Sequence, residues 1–137
     1  MIDLRSVKAH IFEQAERAYP LECCGALFGQ ALDGVKAVSE IFPLTNAREP
    51  GEQHHRFAIE PDEVMKAERA AAKKGLEVLG FYHSHPDHPA QPSDYDREHA
   101  LPVWSYPIVS VVSGRATEIM SWLLSDDRER FSEEAII

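Results

Sequence analysis

The chain has 137 residues, a formal net charge of −9 and a hydrophobic content of 44%. This length fits one domain with its own core, so we expect a single domain over residues 1–137. Its few basic residues are scattered over an acidic chain, which argues against nucleic-acid and membrane partners. Because it has neither a long apolar run nor a signal pattern at its start, the sequence predicts a cytoplasmic protein.

The two cysteines, Cys23 and Cys24, are adjacent, and neighbouring residues form a disulfide only with strained geometry. We therefore expect free thiols in a reducing compartment. Two thiols also exclude a structural zinc site built from four cysteines, so any metal site here needs His and carboxylate ligands.

The first half of the chain predicts a helix, a β-hairpin and a second helix. Apolar residues spaced along one helix face precede Tyr19-Pro20, which ends that helix, and the turn at Asp33-Gly34 suits a hairpin. Pro61 suits the first turn of the second helix, and Gly75 follows its end. The predicted elements are a helix at 3–18, strands at 23–29 and 35–44, a loop at 45–56, a short strand at 57–59 and a helix at 61–74.

The second half predicts mostly strands, with one short helix. Its predicted elements are strands at 76–82, 106–113 and 117–124, a helix at 93–100 and an edge strand at 130–137. Helices and strands in this order indicate a mixed α/β fold, in which helices flank a mixed sheet. An exposed edge strand is compatible with a homodimer.

A metal-binding pattern follows the strand at 76–82. His83 and His85 are two residues apart, so an extended backbone points both imidazoles to the same side. Asp96 falls in the first turn of the helix that begins near Ser93, where its carboxylate can reach the same point. Two imidazoles, one carboxylate and an open position are the ligand set of a catalytic zinc.

Such a zinc site needs a general base near its water, and Glu22 is the candidate because it is a lone acid at the start of an apolar strand. In this mechanism Glu22 takes the proton of the water, hydroxide attacks a zinc-polarised carbonyl, and Glu22 then protonates the leaving amine. The Ser93 hydroxyl is the candidate donor to the developing oxyanion.

Three segments together resemble the JAMM (MPN-plus) metallopeptidases: YPLECCGALFG around Glu22, GFYHSHP at 80–86 and PSDYD at 92–96. The resemblance implies a curled mixed sheet between helices, with layering like that of cytidine deaminases. It also implies one zinc ion on His83, His85 and Asp96, with Glu22 as base and Ser93 as oxyanion partner.

Members of this family cleave the bond after the C-terminal Gly-Gly of ubiquitin or ubiquitin-like proteins. The chain lacks room after Asp96 for one of the insertions with which eukaryotic members grip ubiquitin. It looks instead like the compact bacterial branch, which includes peptidases that process small sulfur-carrier proteins. The expected substrate is therefore the C-terminal tail of such a protein.

The sequence leaves three alternatives to a JAMM peptidase. His83-x-His85-x-Asp87-His88 also matches the motif of metallo-β-lactamase-type hydrolases, although that fold needs a longer chain and further ligands. A zinc deaminase would need a Pro-Cys-x-x-Cys pair, which the sequence lacks. A catalytically inactive scaffold of the MPN fold is the main non-enzyme alternative.

The remaining candidate residues carry weaker expectations. His54 and His55 fall in a polar loop and are expected to be exposed. His99 lies one turn beyond Asp96, where it can contact the ligands, and Cys24 is expected to be a small buried residue on the strand face of Glu22. Trp104 and Trp122 are expected to be core aromatics.

Overall fold

A computed structural model describes residues 1–45 and 59–137. Within these residues the chain forms seven strands and three helices, in agreement with the predicted mixed α/β class. In chain order they are β1 (Ile2–Asp3), α1 (Lys8–Ala18), β2 (Cys24–Leu32), β3 (Val35–Leu44), α2 (Pro61–Lys73), β4 (Glu77–Pro86), α3 (Asp94–His99), β5 (Ser105–Val112), β6 (Arg115–Leu124) and β7 (Phe131–Glu134).

All seven strands belong to one curled sheet in the order β1-β3-β2-β4-β5-β6-β7. The pairs β1–β3 and β4–β5 are parallel, and the other neighbours are antiparallel. The two ends of the sheet approach each other, because Ile2 forms an isolated parallel bridge with Ile136. The predicted edge strand at 130–137 is therefore partly paired, because Ile136 near its end bridges to Ile2 of β1.

The hairpin between β2 and β3 confirms the prediction made from its turn residues. Asp33 and Gly34 both have positive φ angles, 54° and 77°. This conformation suits the twist of a two-residue hairpin turn, and Asp-Gly is one of the pairs that adopt it readily. The hairpin places Cys24 at the free end of β2, far from the turn.

The helices cover the two faces of the sheet. Buried Ile11 and Ala15 of α1 lie in one apolar cluster with Leu27 of β2. On the opposite face, Ala67 and Ala71 of α2 belong to a second cluster, which contains Phe28, Phe81 and Tyr106. The apolar spacing that predicts the first helix thus reflects burial on one side of α1.

The prediction of the first helix was wrong at its start. The helix begins at Lys8 and not at residue 3, because Ile2 and Asp3 pair with Lys36 and Ala37 as β1. This pairing joins distant parts of the chain and has no local sequence signal.

Two further predictions concern residues 45–59. Most of the predicted loop at 45–56 and of the short strand at 57–59 lies outside the described residues, and Ile59 itself is not in a strand. Helix α2 begins at Pro61 as expected, and Gly75 follows its end with a φ of 69°. In the part of the chain that the structure describes, no helix has the length and apolar character needed to cross a bilayer.

Candidate metal centre

Strand pairing brings Glu22 to the end of β4. Cys24 pairs with His83 across β2 and β4. One residue earlier, the Cys23 N–H donates to Ser84 Oγ over 2.9 Å, and the Ser84 N–H donates to the Cys23 carbonyl over 3.1 Å. Glu22 therefore lies beside the two histidines, and its carboxylate, His83 and His85 each offer a ligand atom within 4.8 Å of the others.

The two histidines face each other at the end of β4. Their Nε2 atoms are 3.0 Å apart, and both rings are buried by the neighbouring strands. This agrees with the alternation of side chains along a strand, which places residues i and i+2 on one face.

Asp96 joins this pair from the first turn of α3. Its Oδ2 lies 3.2 Å from Nε2 of His85 and 3.4 Å from Nε2 of His83. A capping box fixes the carboxylate, since the Ser93 N–H donates to Asp96 Oδ2 over 2.9 Å and the Asp96 N–H donates to Ser93 Oγ over 3.1 Å. The helix start thus orients a carboxylate toward the imidazoles.

The separations of these three atoms fit a single zinc ion. Ligands about 2.0–2.1 Å from zinc at tetrahedral angles lie roughly 3.3 Å from one another. The three observed separations are 3.0, 3.2 and 3.4 Å. The donor set of two imidazoles and one carboxylate also leaves the fourth position open, as in catalytic zinc sites.

The hydrogen bond of His85 to the backbone sets its tautomer. Nδ1 of His85 lies 2.9 Å from the Pro89 carbonyl, which can only accept, so this nitrogen carries the proton. In the neutral ring Nε2 is then an acceptor, and it faces the acceptor oxygen of Asp96. Two acceptors at this distance favour a cation between them, and a bond from the distal nitrogen to a carbonyl is typical of metal-bound histidines.

The protonation states of the other two candidate ligands also suit a metal. Burial lowers the pKa of His83 and favours the neutral imidazole, which binds metals. Burial by itself raises the pKa of Asp96, but the imidazoles of His83 and His85 and the Ser93 N–H bring it well below its usual value. Asp96 is therefore ionised.

Glu22 differs from Asp96 in both contacts and charge. Burial, and then the charge of Asp96, raise the pKa of Glu22 to about 8. Its side chain is 5% exposed, and Oε2 has no hydrogen-bond partner among the described residues. A buried carboxyl with a free oxygen and a pKa near neutrality suits a group that exchanges protons.

A cleft of about 380 Å³ opens beside these residues. Its walls include Glu22, His85 and Ser93, so the candidate base, a candidate ligand and the candidate oxyanion partner share one cavity. Ser93 Oγ accepts the Asp96 N–H, and the proton of its hydroxyl remains available for a second partner.

The segment between β4 and α3 is fixed by contacts that the sequence analysis missed. Ser110 Oγ donates to the His88 carbonyl over 2.6 Å, and Trp122 Nε1 donates to the Ala90 carbonyl over 2.9 Å. These bonds flank Pro89, whose carbonyl orients His85. Trp122 was predicted to be a core aromatic, but its indole N–H holds this segment. The sequence gives no signal for this bond, because its acceptor, the carbonyl of Ala90, is 32 residues away in the chain.

Asp87 and His88, which the β-lactamase-type motif would use as ligands, follow the strand end. Both oxygens of Asp87 are hydrogen-bonded to other groups, Tyr19 Oη and the Ser113 N–H. His88 is exposed on the wall of the cleft. Among the described residues, neither Asp87 nor His88 belongs to the cluster of possible metal ligands that His83, His85 and Glu22 form, as this alternative would require.

The remaining candidates have other surroundings. His99 stacks on Tyr95 with ring centroids 4.0 Å apart, and its Nδ1 lies 2.8 Å from the Tyr95 carbonyl. Cys24 is buried and its Sγ lies 3.6 Å from the Leu44 carbonyl, as expected of a packed thiol. His54 and His55 lie outside the described residues.

The sequence identifies the family to which this fold and site belong. Residues 4–125 match the family model described as prokaryotic homologs of the JAB domain, so the chain belongs to this family. The seven-stranded curled sheet with its helices is the JAB/MPN fold. This family match excludes the metallo-β-lactamase alternative, because that class of hydrolase has a different fold.

Two curated relatives have informative names. The desampylase of Haloferax volcanii is 34% identical over 113 residues, which are 82% of this chain and 78% of that protein. A Thermus thermophilus protein described as a probable TtuB-protein conjugate cleaving protease is 31% identical over 106 residues, which are 77% of this chain and 63% of that protein.

Solved structures agree on the fold. The solution structure of a protein from Desulfitobacterium hafniense has a TM-score of 0.83 at 31% identity and covers 100% of this chain and 92% of that one. A structure described as JAMM, a metalloprotease-like zinc site in the proteasome and signalosome, has a TM-score of 0.55 at 18% identity, with 99% and 95% coverage. At this lower identity the likeness supports the fold only.

Proposed function

We propose that this protein is a zinc-dependent peptidase or isopeptidase that cleaves the amide bond after the C-terminal Gly-Gly of a small ubiquitin-like protein. The observation that carries the proposal is the convergence of His83 Nε2, His85 Nε2 and Asp96 Oδ2 within 3.4 Å, beside the buried carboxyl of Glu22. The names of the relatives, a desampylase and a conjugate-cleaving protease, support a substrate of this class.

The residues that would hold the zinc ion are His83, His85 and Asp96. A zinc ion at this position supplies Lewis acidity toward a substrate carbonyl and lowers the pKa of a water ligand. The neutral His83, the Nδ1-protonated His85 and the ionised Asp96 present the protonation states that this ligand set requires.

Glu22 would move the protons of the reaction. Its carboxyl faces the imidazole pair and has a free oxygen, so it can accept a proton from water in the cleft and return it to the leaving amine. The pKa of Glu22, about 8 without a metal, would be lower beside a divalent cation, so Glu22 would be present in the ionised form that a base needs.

Ser93 would stabilise the oxyanion that develops on the substrate carbonyl. Its Oγ already accepts the Asp96 N–H, so the hydroxyl proton is left to point into the cleft that Ser93 lines. Pro86, Pro89 and Pro92 lie in the same wall, and their fixed φ angles limit the motion of this side of the cleft.

The finer part of the proposal concerns the substrate. We expect the C-terminal tail of a sulfur-carrier-type protein of ubiquitin-like fold, either linearly extended or joined to a lysine. An extended Gly-Gly tail has no side chains near the scissile bond, so it can enter a narrow cleft as an added strand.

The test is intact-protein mass spectrometry of zinc-loaded protein mixed with two substrates. One is a ubiquitin-like protein extended by a peptide after Gly-Gly, and the other is the same protein in isopeptide linkage to a lysine. We expect cleavage after Gly-Gly in at least one of them, and its loss in Glu22→Gln and on chelation. Glu13→Gln, which changes an exposed acid on α1, is the matched control and should cleave as the wild type does.

Other outcomes are equally informative. Cleavage that persists in Glu22→Gln would remove Glu22 from the mechanism. A chain that binds substoichiometric zinc and hydrolyses neither substrate would favour the scaffold alternative.

A further inference from the structure

The carboxylate of Asp87 joins three separate segments near the candidate metal centre. Tyr19 Oη donates to Asp87 Oδ2 over 2.6 Å, and the Ser113 N–H donates to Oδ1 over 2.8 Å. The Asp87 N–H in turn donates to the Val111 carbonyl over 2.6 Å. Asp87 directly follows β4, Tyr19 follows α1, and Ser113 lies in the turn between β5 and β6.

The conformation and charge of Asp87 suit this connecting role. Its φ is 57°, in the left-handed region that Asp and Asn tolerate better than most residues. Each oxygen of its carboxylate accepts one hydrogen bond, Oδ1 from the Ser113 N–H and Oδ2 from the Tyr19 hydroxyl. Hydrogen bonds to an ionised acceptor are stronger than those between neutral groups.

The contact with Tyr19 matters because of where Tyr19 and Glu22 lie. Glu22 is on the short segment between Tyr19 and β2, and its Oε2 has no hydrogen-bond partner among the described residues. The position of its carboxyl therefore depends on the backbone on either side. On the C-terminal side the Cys23–Ser84 bonds attach this backbone to β4. On the N-terminal side the Tyr19–Asp87 bond attaches it to the end of the same strand.

We propose that Tyr19 and Asp87 are positioning residues, whose hydrogen bond holds the Glu22 segment against the strand end that carries His83 and His85. This inference rests on the proposed function, because it assigns the two residues to the base of that reaction. Neither residue touches the reacting atoms. Breaking their bond leaves the imidazoles and Asp96 in place and lets Glu22 move away from them.

The test uses variants that remove or weaken this bond with small changes of shape. Tyr19→Phe removes it by deleting only the hydroxyl. Asp87→Asn keeps the left-handed backbone and an acceptor for the Ser113 N–H, but it replaces the charged acceptor of the Tyr19 hydroxyl by a neutral amide and so weakens the bond. Asp127→Asn is a matched control, because Asp127 also accepts from a hydroxyl, Ser125 at 2.6 Å, and from a backbone N–H, Glu129 at 3.0 Å, in the turn before β7.

We expect kcat to fall about 10-fold in Tyr19→Phe and in Asp87→Asn, the effect typical of residues that orient an active group indirectly. KM and zinc content should match the wild type. The double variant should be no slower than the slower single variant, because both substitutions act on the same hydrogen bond. Wild-type kcat in both single variants would overturn the proposal. So would parallel losses of zinc content and melting temperature, which indicate a purely structural role.

Hydrogen exchange separates this proposal from the proposed function. The amides of residues 21–24 should exchange faster in Tyr19→Phe than in the wild type or in Asp127→Asn, whether or not a substrate is cleaved. If the wild type cleaves neither substrate, the proposed function fails while the exchange result still decides the positioning role. Unchanged exchange in Tyr19→Phe would contradict it.

Discussion

Nε2 of His83 lies 3.0 Å from Nε2 of His85, and both rings are buried at the end of β4. Buried ring nitrogens at this distance require a proton or a cation between them. Because Nδ1 of His85 donates its proton to the Pro89 carbonyl, Nε2 of the neutral ring is an acceptor, so a proton on His83 Nε2 or a metal ion must lie between the two nitrogens.

The first prediction concerns the stability of the metal-free protein as a function of pH. The pKa of Glu22 is about 8 in the folded chain, against an ordinary value of 4.5 for a glutamate in water. A raised pKa stabilises the fold fully below pH 4.5, and this contribution is lost as the pH rises through 8. We expect Glu22→Gln to melt several degrees above the wild type at about pH 9, where Glu22 must ionise in a buried place, and the difference to shrink toward about pH 5.

Thermal melts of the two metal-free proteins across this range provide the measurement. Equal melting temperatures of the wild type and Glu22→Gln at alkaline pH would mean that ionising Glu22 does not destabilise the fold, and so that its carboxyl is not buried as described. Glu13→Gln, at an exposed position, should melt like the wild type throughout.

The second prediction concerns Ser93. Ser93→Ala removes the hydroxyl that would face the oxyanion, so we expect kcat to fall about 10²–10³-fold, the usual effect of losing one such donor. It also removes the cap of α3, which costs about 1 kcal/mol. Ser93→Thr retains a hydroxyl at the same carbon and should keep most of the activity. Equal kcat values for the Ala variant and the wild type would exclude the oxyanion role.

The third prediction concerns Trp122, whose indole N–H donates to the Ala90 carbonyl beside Pro89. Trp122→Phe removes this donor, so the carbonyl that orients His85 is held less firmly. We expect zinc affinity to fall about 10-fold in a competition titration with a chelator. Trp104→Phe is the control, because Trp104 packs edge-on against Phe81 in the apolar cluster under α2, and we expect this variant to leave zinc affinity unchanged. Equal effects of both substitutions would indicate general destabilisation.

The fourth prediction concerns the thiols. Burial raises the pKa of Cys23 to about 11 and that of Cys24 to about 12. Only the thiolate reacts with disulfide reagents, so the folded protein should resist labelling at about pH 8 and release two equivalents when unfolded. Rapid labelling of the folded protein would show that at least one of these thiols is accessible.

Local patterns in the sequence made the candidate centre predictable. His83 and His85 share a face because strands alternate, and Ser93 with Asp96 forms the capping box that their spacing predicts. The hairpin at Asp33-Gly34 is likewise a local feature. Each of these depends on residues a few positions apart, whose geometry the backbone fixes.

Contacts between distant residues were not predictable in this way. Because Ile2 and Asp3 pair with β3, α1 begins only at Lys8, and no pattern near Ile2 predicts this strand pairing. The bonds of Trp122 to Ala90 and of Tyr19 to Asp87 join residues far apart in the chain, and they appear only once the sheet order is known. The sequence therefore predicts the candidate ligands and not the residues that support them.

The measurement that tests the central claim most directly is the zinc content per chain of purified variants after dialysis against zinc-containing buffer. Two ligand sets fit the geometry, since the carboxylates of Glu22 and Asp96 both lie near His83 and His85. We expect one zinc per chain in the wild type and in Glu22→Gln, and its loss in Asp96→Ala. Loss of zinc in Glu22→Gln with retention in Asp96→Ala would contradict the account, because Glu22 would then be a ligand and not the base.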